Sequence, residues 1–134
     1  MKLYEQYQFN PFVKETITEL KFESPTKIQK EIIPLVYKQR DIIGISQTGT
    51  GKTHAFLIPI MDMIDVTSDC VQAVITAPTR ELASQIYEHA KLFMKYNQDL
   101  RVSLIIGGSD KQKAIDKFNL ILLLEHQEEL KIYH

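Results

Sequence analysis

Hydrophobic residues along the chain fall into two kinds of pattern. Three short runs, at 41–46, 71–77 and 101–108, are almost continuously aliphatic or β-branched, which is typical of strands buried on both faces of a parallel sheet. Elsewhere apolar residues recur at intervals of three and four, as on one face of a helix. In the segment 81–96 this stripe consists of Leu82, Ile86, Ala90 and Phe93. Because strand and helix patterns alternate at roughly thirty residues per unit, the sequence predicts an α/β domain built from right-handed crossovers.

Two further helices are predicted ahead of the first run. The segment 10–20 starts with Asn10 as a candidate N-cap and Pro11 as the first helical residue. The segment 26–39 has Thr26 as its cap and contains Pro34, which is expected to kink or shorten the helix. Its expected inward-facing residues are Ile28, Ile32, Leu35 and Val36.

Composition and charge narrow the class of protein. The chain has 134 residues, of which 44% are hydrophobic and 25% charged, as in a single soluble globular domain. The formal net charge of -1 gives no general attraction for nucleic acid or membrane, so any such contact must be local. No secretory segment and no apolar stretch of roughly 20 residues is found, which predicts a cytoplasmic protein without a membrane partner. Cys70, the single cysteine, excludes an internal disulfide and is expected to be a buried, inert thiol.

The segment "GISQTGTGKTHAF" carries the most specific chemistry. A predicted strand ends at Ser46, a glycine-containing turn follows, and a helix is expected to start near Lys52. Gly49 and Gly51 allow backbone N–H groups to turn towards phosphate oxygens, and the positive end of the helix dipole favours an anion. Lys52 can place its ammonium on the β- and γ-phosphates, and the Thr53 hydroxyl can coordinate Mg2+. The spacing therefore predicts a nucleoside triphosphate site.

The residues of this loop are the candidate ligands of the nucleotide. They match the pattern G-x-x-x-x-G-K-S/T except at its first position, where a serine replaces the glycine. The candidates are Ser46, Gln47, Thr48, Gly49, Thr50, Gly51, Lys52 and Thr53. His54 follows closely enough to approach the nucleotide. The loop alone leaves kinases, GTPases, transporters and helicases open.

Further stretches narrow that choice. "FESPTKIQ" (22–29), "SQTGTGKT" (46–53) and "PTRELASQI" (78–86) occur in this order, and a Gly-Gly pair at 107–108 follows the third run. Together they resemble the N-terminal RecA-like domain of DEAD-box ATP-dependent RNA helicases, especially bacterial cold-shock-type members, over residues 4–118. The resemblance implies an α/β fold, namely an incomplete RecA-like P-loop domain with a mainly parallel sheet flanked by helices. It also implies ATP and Mg2+ as cofactors, RNA as partner, and ATP hydrolysis coupled to the remodelling of RNA duplexes.

The resemblance assigns the first motif to the adenine base. The side-chain amide of Gln29 offers an acceptor and a donor, which match the N6 amino group and N7 of adenine. Phe22 would cover the face of the base, and Thr26 belongs to the same motif. Lys21 stands where the family usually has glycine, and Tyr4 stands where it has an upstream phenylalanine. The alternative for Gln29 is a solvated helix residue.

Two loops are assigned to RNA. Their candidate residues are Pro78, Thr79, Arg80, Glu81, Gly107 and Gly108. Thr79 and the free backbone amides of its turn can contact RNA phosphates, and the glycine pair allows the same close approach. In the family these loops hold the sugar–phosphate backbone, so the binding is expected to be independent of base sequence. Arg80 and Glu81 could equally form a local cap and ion pair.

Later motifs of the family are not found. The sequence has no "DEAD" motif to supply a carboxylate for Mg2+, no coupling motif and no second RecA-like domain, which leaves Lys52 as the candidate for phosphate stabilisation in catalysis. The chain alone is therefore expected to be inactive in hydrolysis and unwinding. It is also expected to be poorly soluble or dependent on another chain, because a sheet with missing strands exposes apolar edges.

The tail, "NLILLLEHQEELKIYH", imitates a strand that delivers the carboxylate of Glu125. It comes too soon after 107–108, because the family places another strand and helix between them. A/T-rich codons for "QPHIIIGTPGRIKDL", the continuation expected in the family, translate into residues 119–132 when read one nucleotide late. We therefore predict the ATP-binding part of RecA-like domain 1 over 1–118 and a frameshifted tail over 119–134, whose leucines could still form a helix or strand. A natural divergent tail is the alternative.

Two other functions stay open. One is a stand-alone nucleotide-binding or regulatory module, without hydrolysis, that competes for the RNA or partners of a full enzyme. The other is a small P-loop phosphotransferase. A phosphotransferase requires a substrate-binding lid with arginines after the third strand, and the tail contains no arginine.

Overall fold

A computed structural model of the chain describes residues 3–47, 49, 51–106 and 121–125. The chain divides into two compact units, Met1–Ile64 and Asp65–His134. Described helices occur in both units, and the described strands lie in the second, so the predicted α/β class is confirmed. Within the described ranges, no helix has the length and apolar character that crossing a membrane requires.

The first unit contains a short 3-10 helix followed by α-helices. The 3-10 helix covers Leu3–Gln6, and the α-helices are α1 (Pro11–Glu19), α2 (Lys27–Tyr37) and α3 (Lys52–Met63). α3 packs against both α1 and α2. The core that results includes the fully buried side chains Val13, Ile33, Leu57, Ile58 and Met61.

α1 begins where the Asn-Pro pair predicts. Pro11 is its first residue, where a missing N–H costs no hydrogen bond. Asn10 occupies the N-cap position, but its side chain forms no capping bond. That amide instead donates to Asp62 O at 2.8 Å and to Asp62 Oδ1 at 3.1 Å, and the backbone N–H donates to Asp62 Oδ1 at 2.7 Å. The start of α1 is therefore tied to the end of α3.

The N-terminus of α2 is closed by the predicted Thr26 cap. The Gln29 N–H donates to Thr26 Oγ1 at 3.4 Å, and the Thr26 N–H donates to Gln29 Oε1 at 3.0 Å, so both halves of a capping box are present. The helix continues past Pro34 to Tyr37, so Pro34 does not end it, and the expected kink stays a prediction. Pro34 lies in the last turn, where the loss of one backbone hydrogen bond disturbs little of the helix.

The inward face of α2 differs from the predicted one. Gln29 and Ile33 are buried, whereas Leu35 is 37% exposed. Gln29 and Ile33 are four residues apart and share one face of the helix. A glutamine can be buried there because its amide oxygen accepts from the Thr26 N–H and its amide nitrogen donates to the Gly51 carbonyl. Ile32 lies next to Gly44, where an added Cβ would be 2.7 Å from Ile32 Cδ1.

The predicted strand at 41–46 is wrong. The segment has no regular secondary structure, and Ile43 and Ile45 are 92% and 87% exposed. A strand exists through hydrogen bonds to a neighbouring strand, and within the described ranges no strand pairs with this segment. Continuous hydrophobicity therefore shows that residues 41–46 have the composition of a strand. It does not show whether a neighbouring strand is available to pair with them.

The second unit contains a parallel sheet. Its described elements are β1 (Ala73–Ala77), α4 (Arg80–Tyr96), β2 (Val102–Ile105) and β3 (Ile121–Glu125). The spatial order is β1-β3-β2, and both pairings are parallel. The strands predicted at 71–77 and 101–108 are confirmed within shorter limits, and α4 connects them as the predicted crossover.

The amphipathic face of α4 is close to the predicted stripe. Its buried residues are Ala83, Ile86, Ala90 and Phe93. Ala83 takes the place expected for Leu82, which is only partly buried. Because the spacing is three, four and three, these side chains form one face, and α4 packs against all strands of the described sheet.

The tail supplies the central one of the described strands. In β3, Ile121 lies opposite both Ala73 of β1 and Val102 of β2. Glu125 ends the strand opposite Ala77, at the carboxyl edge of β1. The tail leucines thus form regular structure, which is one of the outcomes expected for them. The rest of 119–134 lies outside the described residues.

Cys70 is exposed, so the predicted buried thiol is wrong. It lies in the connection that precedes β1, where its N–H donates to Ser68 Oγ at 3.2 Å. This connection also contains Asp65, whose carboxylate accepts hydrogen bonds from Thr67 N at 3.0 Å and Thr67 Oγ1 at 2.6 Å. Polar turns of this kind lie at the protein surface, so Cys70, which is in the same connection, is exposed.

Candidate nucleotide-binding site

The phosphate loop leads directly into α3. Gly49 and Gly51 both have φ of 84°, in the left-handed region that glycine enters without strain. Gly51 is the N-cap of α3, and Lys52 and Thr53 are its first residues. The helix N-terminus therefore opens onto the loop, where its N–H groups and dipole favour an anion. Two loop candidates, Thr48 and Thr50, lie outside the described residues.

The Lys52 side chain lies over the loop. Its Nζ donates a hydrogen bond to the backbone carbonyl of Ser46. Lys52 is exposed, as is Gln47, whereas Ser46 and Thr53 are half-buried. Because an ammonium group carries three protons, the bond to Ser46 leaves donors for an anion at the same place.

Gly51 is also the point where α2 approaches the loop. An added Cβ at Gly51 would lie 2.5 Å from Gln29 Nε2 and 3.1 Å from Thr26 Oγ1. Gln29 Nε2 donates to the carbonyl oxygen of Gly51 at 3.2 Å. The residues predicted separately from the adenine motif and the phosphate loop therefore lie together, and the absent side chain of Gly51 makes the contact possible.

The amide oxygen of Gln29 has partners of its own. Gln29 Oε1 accepts hydrogen bonds from the Thr26 N–H at 3.0 Å and from the Tyr4 hydroxyl. Gln29 is 1% exposed, so its alternative as a solvated helix residue is wrong. The amide binds within the protein through both its oxygen and its nitrogen.

Phe22 lies in an aromatic cluster beside a cavity. Its ring stacks on Tyr4, with centroids 6.4 Å apart and an interplanar angle of 21°. The ring of His54, the third residue of α3, meets Phe22 edge-on at 5.0 Å. A cavity of about 530 Å³ is bounded by Phe22 and Tyr4 together with Phe9 and Ile17 of the same unit. The cavity therefore offers aromatic and aliphatic surface to a flat ligand, while buried His54 supports Phe22 from the helix.

Tyr4 is buried and remains a hydrogen-bond donor. Burial raises the pKa of Tyr4 to about 12, and the charge of nearby Tyr7 adds to the rise. The phenol is therefore protonated throughout the physiological range and donates to Gln29. The sequence identified Tyr4 only as a replacement for an upstream phenylalanine. The added hydroxyl was the available signal, but its partner is 25 residues away along the chain.

Lys21, which stands in the place of the family's glycine, has φ of 57°. The backbone thus has the left-handed conformation that glycine favours, although the residue is a lysine. Its N–H donates to Thr18 O at 3.0 Å, in the turn that follows α1. The lysine also lines the cavity beside Phe22, so the substitution adds a positive charge at its edge.

The loop predicted to bind RNA belongs to the second unit. Thr79 caps α4, because the Leu82 N–H donates to Thr79 Oγ1 at 3.1 Å. The candidates Pro78, Thr79, Arg80 and Glu81 are all exposed. The cap is thus supplied by Thr79, and the first turn of α4 opens at the surface with Glu81 in it. The other candidates, Gly107 and Gly108, lie outside the described residues.

Comparison with known proteins gives one consistent family. The family model described as DEAD/DEAH box helicase matches residues 26–132. The DEAD-box ATP-dependent RNA helicase CshB of Listeria monocytogenes is 50% identical over 115 residues, which is 85% of this chain and 26% of that protein. The chain therefore spans about a quarter of the length of this curated relative.

Solved structures are similar in fold. A DEAD box protein from the hyperthermophile Methanococcus jannaschii matches with a TM-score of 0.82 and 30% identity, over 91% of this chain and 34% of that one. Saccharomyces cerevisiae Dbp5 bound to RNA and ADP BeF3 matches with a TM-score of 0.82 and 29% identity, over 93% of this chain and 32% of that one. The RecA-like fold class predicted from the motifs is therefore confirmed.

Proposed function

Because this chain belongs to the DEAD/DEAH box helicase family, whose model matches residues 26–132, we propose that its segment 22–53 binds ATP with Mg2+. The observation that carries the proposal is the 3.2 Å hydrogen bond from Gln29 Nε2 to the Gly51 carbonyl. It joins the motif assigned to the base to the loop assigned to the phosphates. One ligand that has both a base and a phosphate chain accounts for both motifs.

The phosphate chain is proposed to lie at the N-terminus of α3. Left-handed Gly49 and Gly51 turn the backbone there, and the exposed Lys52 ammonium, bonded to the Ser46 carbonyl, provides a positive charge over the loop. The hydroxyl of Thr53, at the second position of α3, is proposed to hold Mg2+. Bound Mg2+ supplies positive charge to the phosphate oxygens. The remaining loop residues, Ser46, Gln47, Thr48 and Thr50, are proposed to line the same cradle.

The base is proposed to pack on Phe22. The cavity of about 530 Å³ beside this ring has room for a purine, and it is walled by aromatic and aliphatic groups together with charged side chains, among them Lys21. Thr26 and Gln29 are joined by the capping box, and Gln29 connects this motif to the loop through its bond to Gly51. Adenine recognition by the Gln29 amide is part of the proposal.

RNA is the proposed partner of the second unit. The exposed loop 78–81 precedes the N-terminus of α4, a position that suits phosphate oxygens, and Gly107 with Gly108 is proposed to make the same kind of contact. Dbp5, a structural relative, is described as bound to RNA. Contacts of this type hold the backbone and do not read bases, so the RNA is bound without sequence preference. We also propose a cytoplasmic location.

The whole protein to which this sequence corresponds is proposed to be an ATP-dependent RNA helicase that remodels duplexes. The 134 residues contain one candidate for phosphate stabilisation, Lys52, and no "DEAD" carboxylates. This chain by itself is therefore proposed to bind nucleotide without hydrolysing it or unwinding RNA. No specific observation favours the small phosphotransferase.

The division of the sequence into a family part, 1–118, and a frameshifted tail, 119–134, is also a proposal. Its support is the codon relationship between residues 119–132 and the expected family continuation. Resequencing the gene from the Gly107 codon onward tests it. A "TPGR" continuation in the adjacent frame is expected, and its absence would mean that the tail is a natural one.

Titration of the 134-residue chain with Mg-ATP tests the proposed nucleotide site. Lys52→Ala removes a charged donor, so the dissociation constant should rise by about tenfold or more. Lys30→Ala is the matched control, because Lys30 is exposed on α2 outside the loop. Equal ATP affinity in all three chains would refute the cradle. No binding to the unaltered chain would refute ATP binding altogether.

A further inference from the structure

The oxygen of the Gln29 side-chain amide already accepts two hydrogen bonds. Gln29 Oε1 accepts from the Thr26 N–H at 3.0 Å and from the Tyr4 hydroxyl. A carbonyl oxygen has two lone pairs, and both are used. Gln29 Nε2 gives one of its protons to Gly51 O at 3.2 Å, which leaves a second proton for another acceptor. The nitrogen therefore keeps one proton beyond its bond to Gly51, whereas the oxygen cannot accept from a base unless one of its two donors is displaced.

The two donors to this oxygen are held differently. The Thr26 N–H is part of the capping box, which orders the first turn of α2. Tyr4 comes from the short 3-10 helix Leu3–Gln6, and it also bounds the cavity beside Phe22. Tyr4 is thus the donor that contacts both the amide and the space proposed for the base. A base held in this cavity would lie beside Tyr4, the residue whose hydroxyl occupies the amide oxygen.

We propose that Tyr4 is a specificity-determining residue, whose hydroxyl competes with the N6 amino group of adenine for Gln29 Oε1. This inference rests on the adenine site proposed above and adds to it. Adenine presents a donor next to N7, whereas guanine presents the acceptor O6 at the same edge. Only a base with the amino group has to displace the Tyr4 hydroxyl, so this chain gains less from that group than a chain with phenylalanine would.

Burial keeps the competing Tyr4 hydroxyl protonated. Tyr4 is 7% exposed, and burial raises the pKa of Tyr4 to about 12, so the competing proton is present at every physiological pH. Phenylalanine at position 4 would keep the ring that stacks on Phe22 at 6.4 Å and would free one lone pair of the amide oxygen. The substitution therefore separates the hydroxyl from the aromatic packing.

The test compares ADP with purine riboside 5′-diphosphate, which has the same base without the amino group, by calorimetric titration of the full 134-residue chain. In the unaltered chain the two dissociation constants should agree within about threefold, because one hydrogen bond only replaces another. In Tyr4→Phe the preference for ADP should rise by about threefold to tenfold through tighter ADP binding. Tyr7→Phe is the matched control, because Tyr7 lies in the same segment and stacks on Phe9, and it should leave the preference unchanged.

The outcomes distinguish the proposed role of Tyr4 from the proposed nucleotide site. Lys52-dependent binding of both diphosphates with the same preference in the unaltered chain and Tyr4→Phe would overturn the role of Tyr4 and leave the nucleotide site intact. Failure of both diphosphates to bind, or binding that Lys52→Ala does not weaken, would overturn the site and with it the role of Tyr4. If urea denaturation shows that Tyr4→Phe does not fold, the unaltered chain alone decides. A preference for ADP above about tenfold would then overturn the competition, and near equality would support it.

Discussion

Gln29 and Gly51 are joined by a 3.2 Å hydrogen bond from a side-chain amide to a backbone carbonyl, and no Cβ fits between them. An added Cβ at Gly51 would lie 2.5 Å from Gln29 Nε2. This relationship places the end of the phosphate loop against the first turn of α2. The conformation of the loop and the position of the amide are therefore coupled.

Gly51→Ala should destabilise the chain more than Gly49→Ala. Both glycines have φ of 84°, so each alanine costs about 1 to 2 kcal/mol of left-handed strain. At Gly49 the added methyl group meets nothing within 4 Å, whereas at Gly51 it clashes with Gln29 and should add about 1 to 3 kcal/mol. Urea unfolding measures the difference between the variants. Equal stability would mean that α2 does not contact the loop in this way.

Lys21→Gly should stabilise the chain. Lys21 has φ of 57°, a conformation that costs a residue with a side chain about 1 kcal/mol and costs glycine little. Lys38→Gly is the control, because Lys38 is the C-cap of α2 with φ of -80° and glycine there only adds freedom to the unfolded chain. Thermal unfolding should show a higher midpoint for Lys21→Gly and an unchanged or lower one for Lys38→Gly. A lower midpoint for Lys21→Gly would contradict the observed backbone conformation.

Asp62 should contribute more to stability than any one of its partners. Its carboxylate accepts from Tyr37 Oη at 2.6 Å and from both the backbone and the side chain of Asn10, which links the ends of α2 and α3 to the start of α1. Asp62→Ala should lower the free energy of unfolding by about 1 to 3 kcal/mol, and Tyr37→Phe by about 0.5 to 1.5 kcal/mol.

The double variant Asp62→Ala/Tyr37→Phe measures the coupling between the two residues. Because they share a hydrogen bond, the combined loss should be smaller than the sum of the single losses. Strict additivity in chemical denaturation would show that the bond contributes nothing to stability. Glu31→Ala, at an exposed position of α2, should leave stability within about 0.5 kcal/mol of the unaltered chain.

Several of these features were predictable because their cause is local. The Asn-Pro start of α1, the Thr26 cap of α2 and the left-handed glycines depend on residues within one turn of each other. The strand predicted at 41–46 is wrong because a strand needs a neighbouring strand to pair with, and hydrophobicity does not reveal one. Ile43 in this segment is 92% exposed. The hydrogen bond between Gln29 and Tyr4 likewise joins residues that are far apart along the chain. Local rules therefore gave the ends of elements, while long-range pairing had to be observed.

Alkaline pH should weaken the folded state through Tyr4. Burial raises the pKa of Tyr4 from its ordinary value of 10.0 to about 12. The folded chain therefore retains a proton that the unfolded chain loses, so the contribution is complete below pH 10 and disappears as pH rises towards 12. Burial and the bond to Asp62 also raise the pKa of Tyr37, which acts in the same direction.

Urea unfolding of the unaltered chain and Tyr4→Phe between pH 8 and 12 isolates the contribution of Tyr4. The unaltered chain should lose more stability over this range, by no more than about 2 to 3 kcal/mol, while Tyr37 contributes equally to both. Parallel curves for the two chains would show that the Tyr4 phenol is not buried as described.

Nuclear magnetic resonance of the labelled 134-residue chain during titration with Mg-ATP tests the proposed nucleotide site most directly. Saturable shifts should be largest at the backbone amides of Gly49, Gly51 and Lys52 and at the side-chain amide of Gln29, because these groups lie at the loop and its contact with α2. At an ATP concentration near the dissociation constant of the unaltered chain, Lys52→Ala should reduce these shifts several-fold. No shifts, or shifts confined to residues away from this loop, would contradict nucleotide binding at the N-terminus of α3.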